Sequence, residues 1–280
     1  MKPMTVREIQ DIDLELMKVI DAFCKSHRIT YFLDSGTLLG AARGADFIPW
    51  DDDADIVMPR PDYERFIKEF IDSDDYKLYA PNKGNCYIPY ARLCEMRRTF
   101  FGQRNLWTGD RPGVGVDIFP LDGAPDTPEE YDKHALKVSA IRNRLFELRG
   151  IYTGFGRNFR LSPFGFAKDV VHYAAWFCRR VAVKQNLKNA LGQIRDLRMS
   201  IPYETSNNCF YIAITSDRRK LWKREWFADS VRLPIRDVMF PAPVGYDERL
   251  TAEYGDWRTP PPESARGDHA GCQTMYWRDK

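Results

Sequence analysis

Four acidic residues occupy five consecutive positions in FIPWDDDADIVMPR, residues 47–60: Asp51, Asp52, Asp53 and Asp55. Phe47, Ile48 and Trp50 precede them and Ile56, Val57 and Met58 follow, so the segment is drawn toward a core while its charges call for water. Read as a strand, DADIVMPR puts Asp53, Asp55 and Val57 on one face and Ala54, Ile56 and Met58 on the other. Two carboxylates that close repel, and one of them keeps its proton unless a cation stands between them. Hard oxygen ligands at this spacing suit Mg²⁺ or Mn²⁺, which bind through one or two carboxylates and phosphate oxygens. Asp51 and Asp52 then order the loop or reach the ion through water. A third carboxylate, Asp117, lies inside the apolar run GVDIF, where an aspartate is costly without a partner. On a strand neighbouring the first, it completes a three-carboxylate metal site of Asp53, Asp55 and Asp117.

These groups need elements to hold them. Thr5 to Arg28 carries apolar residues at helical spacing behind a Thr5/Glu8 capping box. ITYFLD reads as a strand, and SGTLLGAAR as a turn through Gly36 into a short helix. Backbone N–H groups of Ser35, Gly36 and Thr37, with the positive end of that helix, can hold a phosphate. Alone, SGT is an ordinary turn. The order is more telling: strand, glycine turn, helix, Asp-x-Asp strand, then a hydrophobic-Asp-hydrophobic strand roughly sixty residues on. It is the order of the polymerase-β type of nucleotidyltransferase fold. The expectation is an α+β protein with a mixed central sheet flanked by helices.

PDYERFIKEFIDS predicts a helix, and YKLYA, YIPYARLCE and TFFG predict strands of a hairpin or meander. A helix over 126–149 starts on a threonine cap with proline at its first position. Residues 150–200 differ in character and predict two further helices, so about 126–205 reads as a helical subdomain or insertion within a single domain spanning 1–280. Phe164, Phe166, Trp176 and Phe177, with Arg179, Arg180 and Lys184, are either an ordinary core-facing helix surface or a patch that touches a membrane. CFYIAIT and VRLPIRDVMFPAPVGY return to strand, and a short helix and an irregular loop end the chain.

Composition narrows the class. With 44% hydrophobic and 29% charged residues over 280 positions the chain is globular, and a net charge of +2 gives no field directed at nucleic acid. The first residues lack the apolar stretch of a secretory signal, and no run of about 18 apolar residues suggests a spanning helix. The six cysteines form no CxxC pair, which argues for reduced thiols in a cytoplasmic protein rather than zinc or disulfides. An aromatic content of 14% means either a ring-rich core or a ring-walled site for a base, a sugar or a cationic head group.

The stretch YFLDSGTLLGAARGADFIPWDDDADIVMPRPDYERF closely resembles the signature of the LicD family, which includes fukutin and fukutin-related protein as distant members. REIQDIDLELMKVIDAFCKSHRI, GVGVDIFPLDGAP and YGDWRTPPPESARGDH extend the resemblance over much of residues 5–125 and roughly 245–270. It implies phosphotransfer: a phosphorylated alcohol such as phosphocholine moves from a CDP-alcohol donor to a sugar hydroxyl of a cell-surface glycan, and CMP leaves. Lipopolysaccharide or teichoic acid is the implied kind of acceptor, and lipid-linked acceptors suit a cytoplasmic enzyme working at the inner face of the membrane, with residues 163–184 as a peripheral contact. Asp53 and Asp55 then hold a metal that bridges the diphosphate. Asp117 completes the site and is the candidate to accept the hydroxyl proton. Arg43 matches the arginine of the family motif and is a candidate diphosphate clamp, or else a surface helix arginine. Arg92 stands where relatives carry a basic residue. Arg266 and His269 match the C-terminal motif, whereas Asp268 replaces the first histidine of a pair, and GAD replaces a His-Lys-Gly insert after Arg43. Trp50 packs or stacks. The alcohol stays open among choline, ethanolamine, glycerol and ribitol.

Two other enzyme readings share the carboxylates: an Asp-x-Asp glycosyltransferase and a nucleotidyltransferase acting on an antibiotic or protein. A glycosyltransferase needs a nucleotide-binding strand–helix region ahead of its Asp-x-Asp, and only one helix and one strand precede this one. A non-enzymatic binding protein would have no need of Asp53, Asp55 and Asp117 together.

Overall fold

The computed structural model describes residues 3–102, 110–154, 166–211, 221–266 and 275–278. Helix α1 (Val6–His27) opens on the capping box: Thr5 Oγ1 accepts from the Glu8 N–H at 3.2 Å and Glu8 returns to the Thr5 N–H at 2.8 Å. Its apolar stripe, with Leu16, Met17 and Ile20 at 0–1% exposure, packs on the central sheet. Arg28 ends the helix in the left-handed region.

The central sheet runs β1 (Phe32–Leu33), β2 (Asp55–Pro59), β6 (Gly115–Ala124), β4 (Ala91–Glu95), β3 (Tyr76–Tyr79) across its width. β1 is antiparallel to β2, β2 is parallel to β6, and β4 runs antiparallel to both β6 and β3. β6 is ten residues long. Its first half pairs with β2 and β4, and its last three residues pair with β7 (Asn208–Phe210), which β8 (Trp222–Lys223) extends. β5 (Thr99–Phe101) leaves the expected meander and pairs with β11 (Met275–Trp277), while β9 (Ser230–Ile235) and β10 (Val238–Pro243) form a separate hairpin. The result is a mixed-sheet α+β architecture.

Strand alternation sorts the side chains. Leu33, Ile56, Met58, Leu93, Val116 and Ile118 enter the large core with α1. On the opposite face Phe32, Val57 and Leu121 join Tyr203, Cys209, Tyr211, Trp222 and Phe227 in a second cluster. The carboxylates share this second face.

Three expectations change. ITYFLD yields only a two-residue strand, because the chain must turn at Asp34 to start α2 (Ser35–Gly44). β2 begins at Asp55, so Asp53 precedes the strand and is exposed. Beyond Asp34 no strand remains to pair with residues 51–53, so Asp53 stays in the loop and faces water while Asp51 folds back and is buried. The two helices expected after 150 are one, α5 (Phe166–Arg198), 33 residues long. No proline interrupts it, and Gly192 is tolerated with open space around it. It packs along α4 (Pro128–Gly154) through Leu145, Leu148, Leu187, Leu191 and Ile194. Helices α3 (Arg60–Glu69) and α6 (Tyr246–Tyr254) complete the fold.

Candidate active site at the head of the sheet

The backbone register assembles the site. In the parallel pair β2–β6 Asp55 is the register partner of Asp117, so the two side chains stand abreast on one face. In the antiparallel pair β6–β4 Asp117 faces Arg92. Beyond the other edge the Asp34 N–H donates to the Asp55 carbonyl at 3.2 Å, continuing the β1–β2 ladder by one position. A row Asp34, Asp55, Asp117, Arg92 therefore crosses the sheet where β2 and β6 begin. The Asp117 N–H donates to the Ala54 carbonyl at 2.8 Å and locks the two strand starts together.

The first turn of α2 presses on this row. Thr37 Oγ1 accepts from the Asp55 N–H at 2.9 Å, so one hydroxyl fixes both the helix start and the carboxylate-bearing backbone. Ser35 lies at φ 51°, a left-handed conformation that costs a non-glycine residue on the order of 1 kcal/mol or more and clusters at functional turns. Its Oγ is 2.8 Å from the Tyr211 hydroxyl. Gly36 admits the Asp51 carboxylate: a Cβ there would stand 2.3 Å from Asp51 Oδ2 and displace that side chain. Asp51 is thus folded back over the helix start, and Gln10 of α1 donates to the Ile48 and Asp51 carbonyls at 3.0 and 2.9 Å to hold that loop.

Charge at the site is unbalanced. Burial raises the pKa of Asp55 well above the ordinary value, and the charges of Asp53, Asp117, Asp51 and Asp34 raise it further. Asp117 is pushed up to about 6 by burial, with Arg92 opposing and Asp53 adding. Asp51 is pushed up to about 8 by burial, then by the charge of Asp53 and a hydrogen bond to it. Arg92 Nε is 3.3 Å from Asp117 Oδ1, yet neither atom has a hydrogen-bond partner in good geometry. Arg92 reaches Asp117 across Gly115, where a Cβ would meet its Nε at 2.9 Å. Among the described residues no three Asp, Glu, His or Cys side chains already converge as ligands; the register-fixed pair is Asp55 and Asp117. Two abreast carboxylates, destabilised as anions and with Asp53 and Asp51 within charge range, fit the donor set of a hard divalent cation.

The other expected residues divide. Arg43 stands at the far end of α2, about 12 Å of helix from Ser35; its Nη1 donates to the Trp257 carbonyl at 3.4 Å. Burial lowers its pKa, and the charge of Arg266 lowers it further. Arg266 lies over Trp50, 5.0 Å from the ring centroid. These two arginines form a basic station beside Trp50 and Trp257. His269 and Phe164 lie outside the described residues, as do the side chains of Phe166, Trp176 and Arg180. Phe177 and Val181, on the exposed side of α5, are 54% and 53% exposed.

Three residues went unnoticed in sequence. Asp34 is fully buried against Arg249, Nη2 to Oδ2 2.8 Å with both side chains at 0% exposure, and Arg249 stacks 3.6 Å from the Trp222 ring centroid. Nothing local to LDSGT signals a partner 215 residues away. Asp13 of α1 is 0% exposed with neither oxygen hydrogen-bonded. Its pKa is raised by burial, opposed by Arg92 and raised by Asp53 and Asp117, so it borders the same centre. Its place among Ile9, Ile12, Leu16 and Met17 on the buried side of α1 was the available signal.

Fold and site define an α+β protein with a buried, charge-unbalanced acidic centre at the head of a mixed sheet. Residues 28–151, which contain the whole row, match the LicD/FKTN/FKRP nucleotidyltransferase domain. Over 283 aligned residues, 96% of this chain and 97% of the relative, the chain is 26% identical to the lipopolysaccharide cholinephosphotransferase LicD of Haemophilus influenzae. Both likenesses are to the LicD family.

Proposed function

We propose that this protein is a metal-dependent phosphotransferase that moves a phospho-alcohol of the phosphocholine type from a CDP-alcohol to a sugar hydroxyl of a cell-surface glycan, releasing CMP. The observation that carries the reading is the register pairing of Asp55 with Asp117 beside the α2 start, inside the segment matched to the family. The nearly full-length likeness to a lipopolysaccharide cholinephosphotransferase supports the class of donor and acceptor.

In this reading Asp55 and Asp117, with Asp53 from the adjoining loop, hold Mg²⁺ or Mn²⁺ in a nucleotidyltransferase-type fold. The cation supplies charge neutralisation on the diphosphate when bound. The sugar oxygen attacks the phosphorus that carries the alcohol, the bond to the bridging oxygen breaks, and CMP departs with that electron pair. The hydroxyl proton passes to a carboxylate, for which Asp117, abreast of Asp55 at the head of the sheet, is the candidate. The N–H groups of Ser35, Gly36 and Thr37 face donor phosphate. Arg92 limits repulsion between Asp117 and the incoming anion. Arg43 and Arg266 serve the donor or the acceptor at the second basic station, and His269 is assigned to the same task by its place in the C-terminal motif. The chain works as one catalytic domain with α4 and α5 as its helical insertion. Work at the cytoplasmic membrane face through 163–184 fits the exposed Phe177 and Val181 beside Arg179, and no helix among the described residues is long and apolar enough to cross a membrane.

The test is a panel of CDP-alcohols incubated with acceptor glycan and Mg²⁺ or Mn²⁺. Donor-dependent CMP is the expected product. Pyrophosphate from a nucleoside triphosphate, or a nucleoside diphosphate from a sugar nucleotide, with no CMP from any CDP-alcohol, overturns the reading in favour of nucleotidyl or glycosyl transfer.

A further inference from the structure

Three aromatic rings continue the face that carries the carboxylates. Phe119 follows Asp117 by two positions, so it lies about 7 Å further along the same face of β6. The Tyr90 ring, just ahead of β4, is centred 4.6 Å from it, and the Tyr211 ring, just after β7, 4.9 Å from it. Each is tied to the acidic centre. The Tyr90 hydroxyl lowers the pKa of Asp117, the Tyr211 hydroxyl is 2.8 Å from Ser35 Oγ, and Phe119 shares its strand with Asp117. Behind them Trp222 and Phe227 are sealed at 0% and 4% exposure, whereas Tyr90 and Phe119 keep part of their surface open. Acidic groups face the rings from several elements: Asp117 and Asp55 bear on Tyr90 against Arg92 and Arg149, and Asp34, Glu253 and Asp55 bear on Tyr211 against Arg249.

Partly open rings beside a phosphate-handling centre suit one kind of group. A trimethylammonium has no N–H to satisfy and spreads its charge over methyls that rest on π faces. A primary ammonium asks for several acceptors, and a polyol for a hydrogen-bond partner at each hydroxyl; two phenolic oxygens, already engaged, supply neither. In phosphocholine an oxygen and two carbons separate phosphorus from nitrogen, a span that fits within the Asp117–Phe119 spacing. We infer that Tyr90, Phe119 and Tyr211 form the wall that receives the quaternary ammonium of the transferred group and selects choline over ethanolamine, glycerol or ribitol. The assignment rests on the phosphotransfer reading, and the experiment separates the two.

Binding of phosphocholine is measured by calorimetry against 3,3-dimethylbutyl phosphate, in which carbon replaces the charged nitrogen at the same shape, and against phosphoethanolamine. CMP release from CDP-choline is followed separately. Phosphocholine is expected to bind roughly tenfold tighter than its uncharged twin, with the preference falling to within about twofold in Phe119→Leu and in Tyr90→Leu. Ring-fluorinated phenylalanine at 119 keeps shape and folding while draining the π face, so log affinity for phosphocholine should fall stepwise with each fluorine even if the leucine variants unfold. No preference for the cation in the parent protein, or a preference indifferent to fluorination, overturns the wall. A cation preference that depends on the rings, without CMP from CDP-choline, leaves the wall standing and removes the transfer reading. CMP release without a cation preference does the reverse.

Discussion

Strand β6 buries two aspartates five residues apart, and they are treated in opposite ways. Asp122, 1% exposed, is gripped by Arg60 of α3, Nε to Oδ1 2.5 Å and Nη2 to Oδ2 2.9 Å, and by Arg198 of α5 at 2.5 Å. Arg198 also donates to the Pro120 carbonyl at 2.9 Å. Two cations meet one anion, and the cluster staples two helices to the sheet. Asp117 instead meets one arginine at 3.3 Å while Asp55 stands abreast of it and Asp53 adds its charge. A buried charge kept for structure is matched within the protein. The surplus of negative charge at Asp117 is left unmatched by protein groups, and the proposed cation would offset it.

Substitution at each end tests the contrast. Asp55→Asn should cut turnover by orders of magnitude while far-UV circular dichroism and cooperative unfolding persist. A variant that keeps more than a tenth of parental CMP release refutes a role for Asp55 at the reacting centre. Asp122→Asn should do the opposite. Leaving Arg198 buried without its anion, and Arg60 with Glu64 alone, costs on the order of 3–5 kcal/mol, read by urea unfolding, with turnover per folded molecule close to parental.

The pH dependence sharpens the comparison. Asp117 and Asp51 have folded pKa values above the unfolded value of 3.8, at about 6 and about 8. Such groups favour the folded state while protonated, so their contribution is whole below about pH 4 and fades as pH rises through about 6 and then about 8. Metal-free protein should therefore lose midpoint temperature between pH 5 and pH 8, and Mn²⁺ should restore it at the upper end. Equal stability at both pH values without metal contradicts the charge imbalance. The smallest effect belongs to Gly36→Ala. Its Cβ displaces the Asp51 carboxylate, which a flexible side chain can accommodate at a cost of about 1 kcal/mol or less. Mn²⁺ affinity measured by calorimetry should drop by a few-fold, and an unchanged affinity shows that Asp51 plays no part in holding the ion.

Much of the site was legible in order along the chain. The capping box at Thr5 and Glu8, the helix that starts beside Gly36, the strand carrying Asp55 and the apolar run carrying Asp117 are all local patterns. Tyr90, Phe119 and Tyr211 were anonymous among the aromatic residues until the sheet set them side by side. β1 was overread because strand propensity in ITYFLD extends past the point where the chain must turn. α5 was divided because a change from apolar to amphipathic character resembles a boundary, although nothing in its backbone requires a break.

By itself the sequence determined that Asp55 and Asp117 stand in apolar strands and that a helix start adjoins them, since strand period, caps and turn residues act within a few positions of chain. Tertiary structure alone decided that Asp55 and Asp117 share a register, that Arg92 faces the second of them, that Asp34 belongs to Arg249, and that Asp53 remains outside the strand. Register is set by hydrogen bonds between strands distant in sequence and by which face the core claims, and no local pattern encodes that choice.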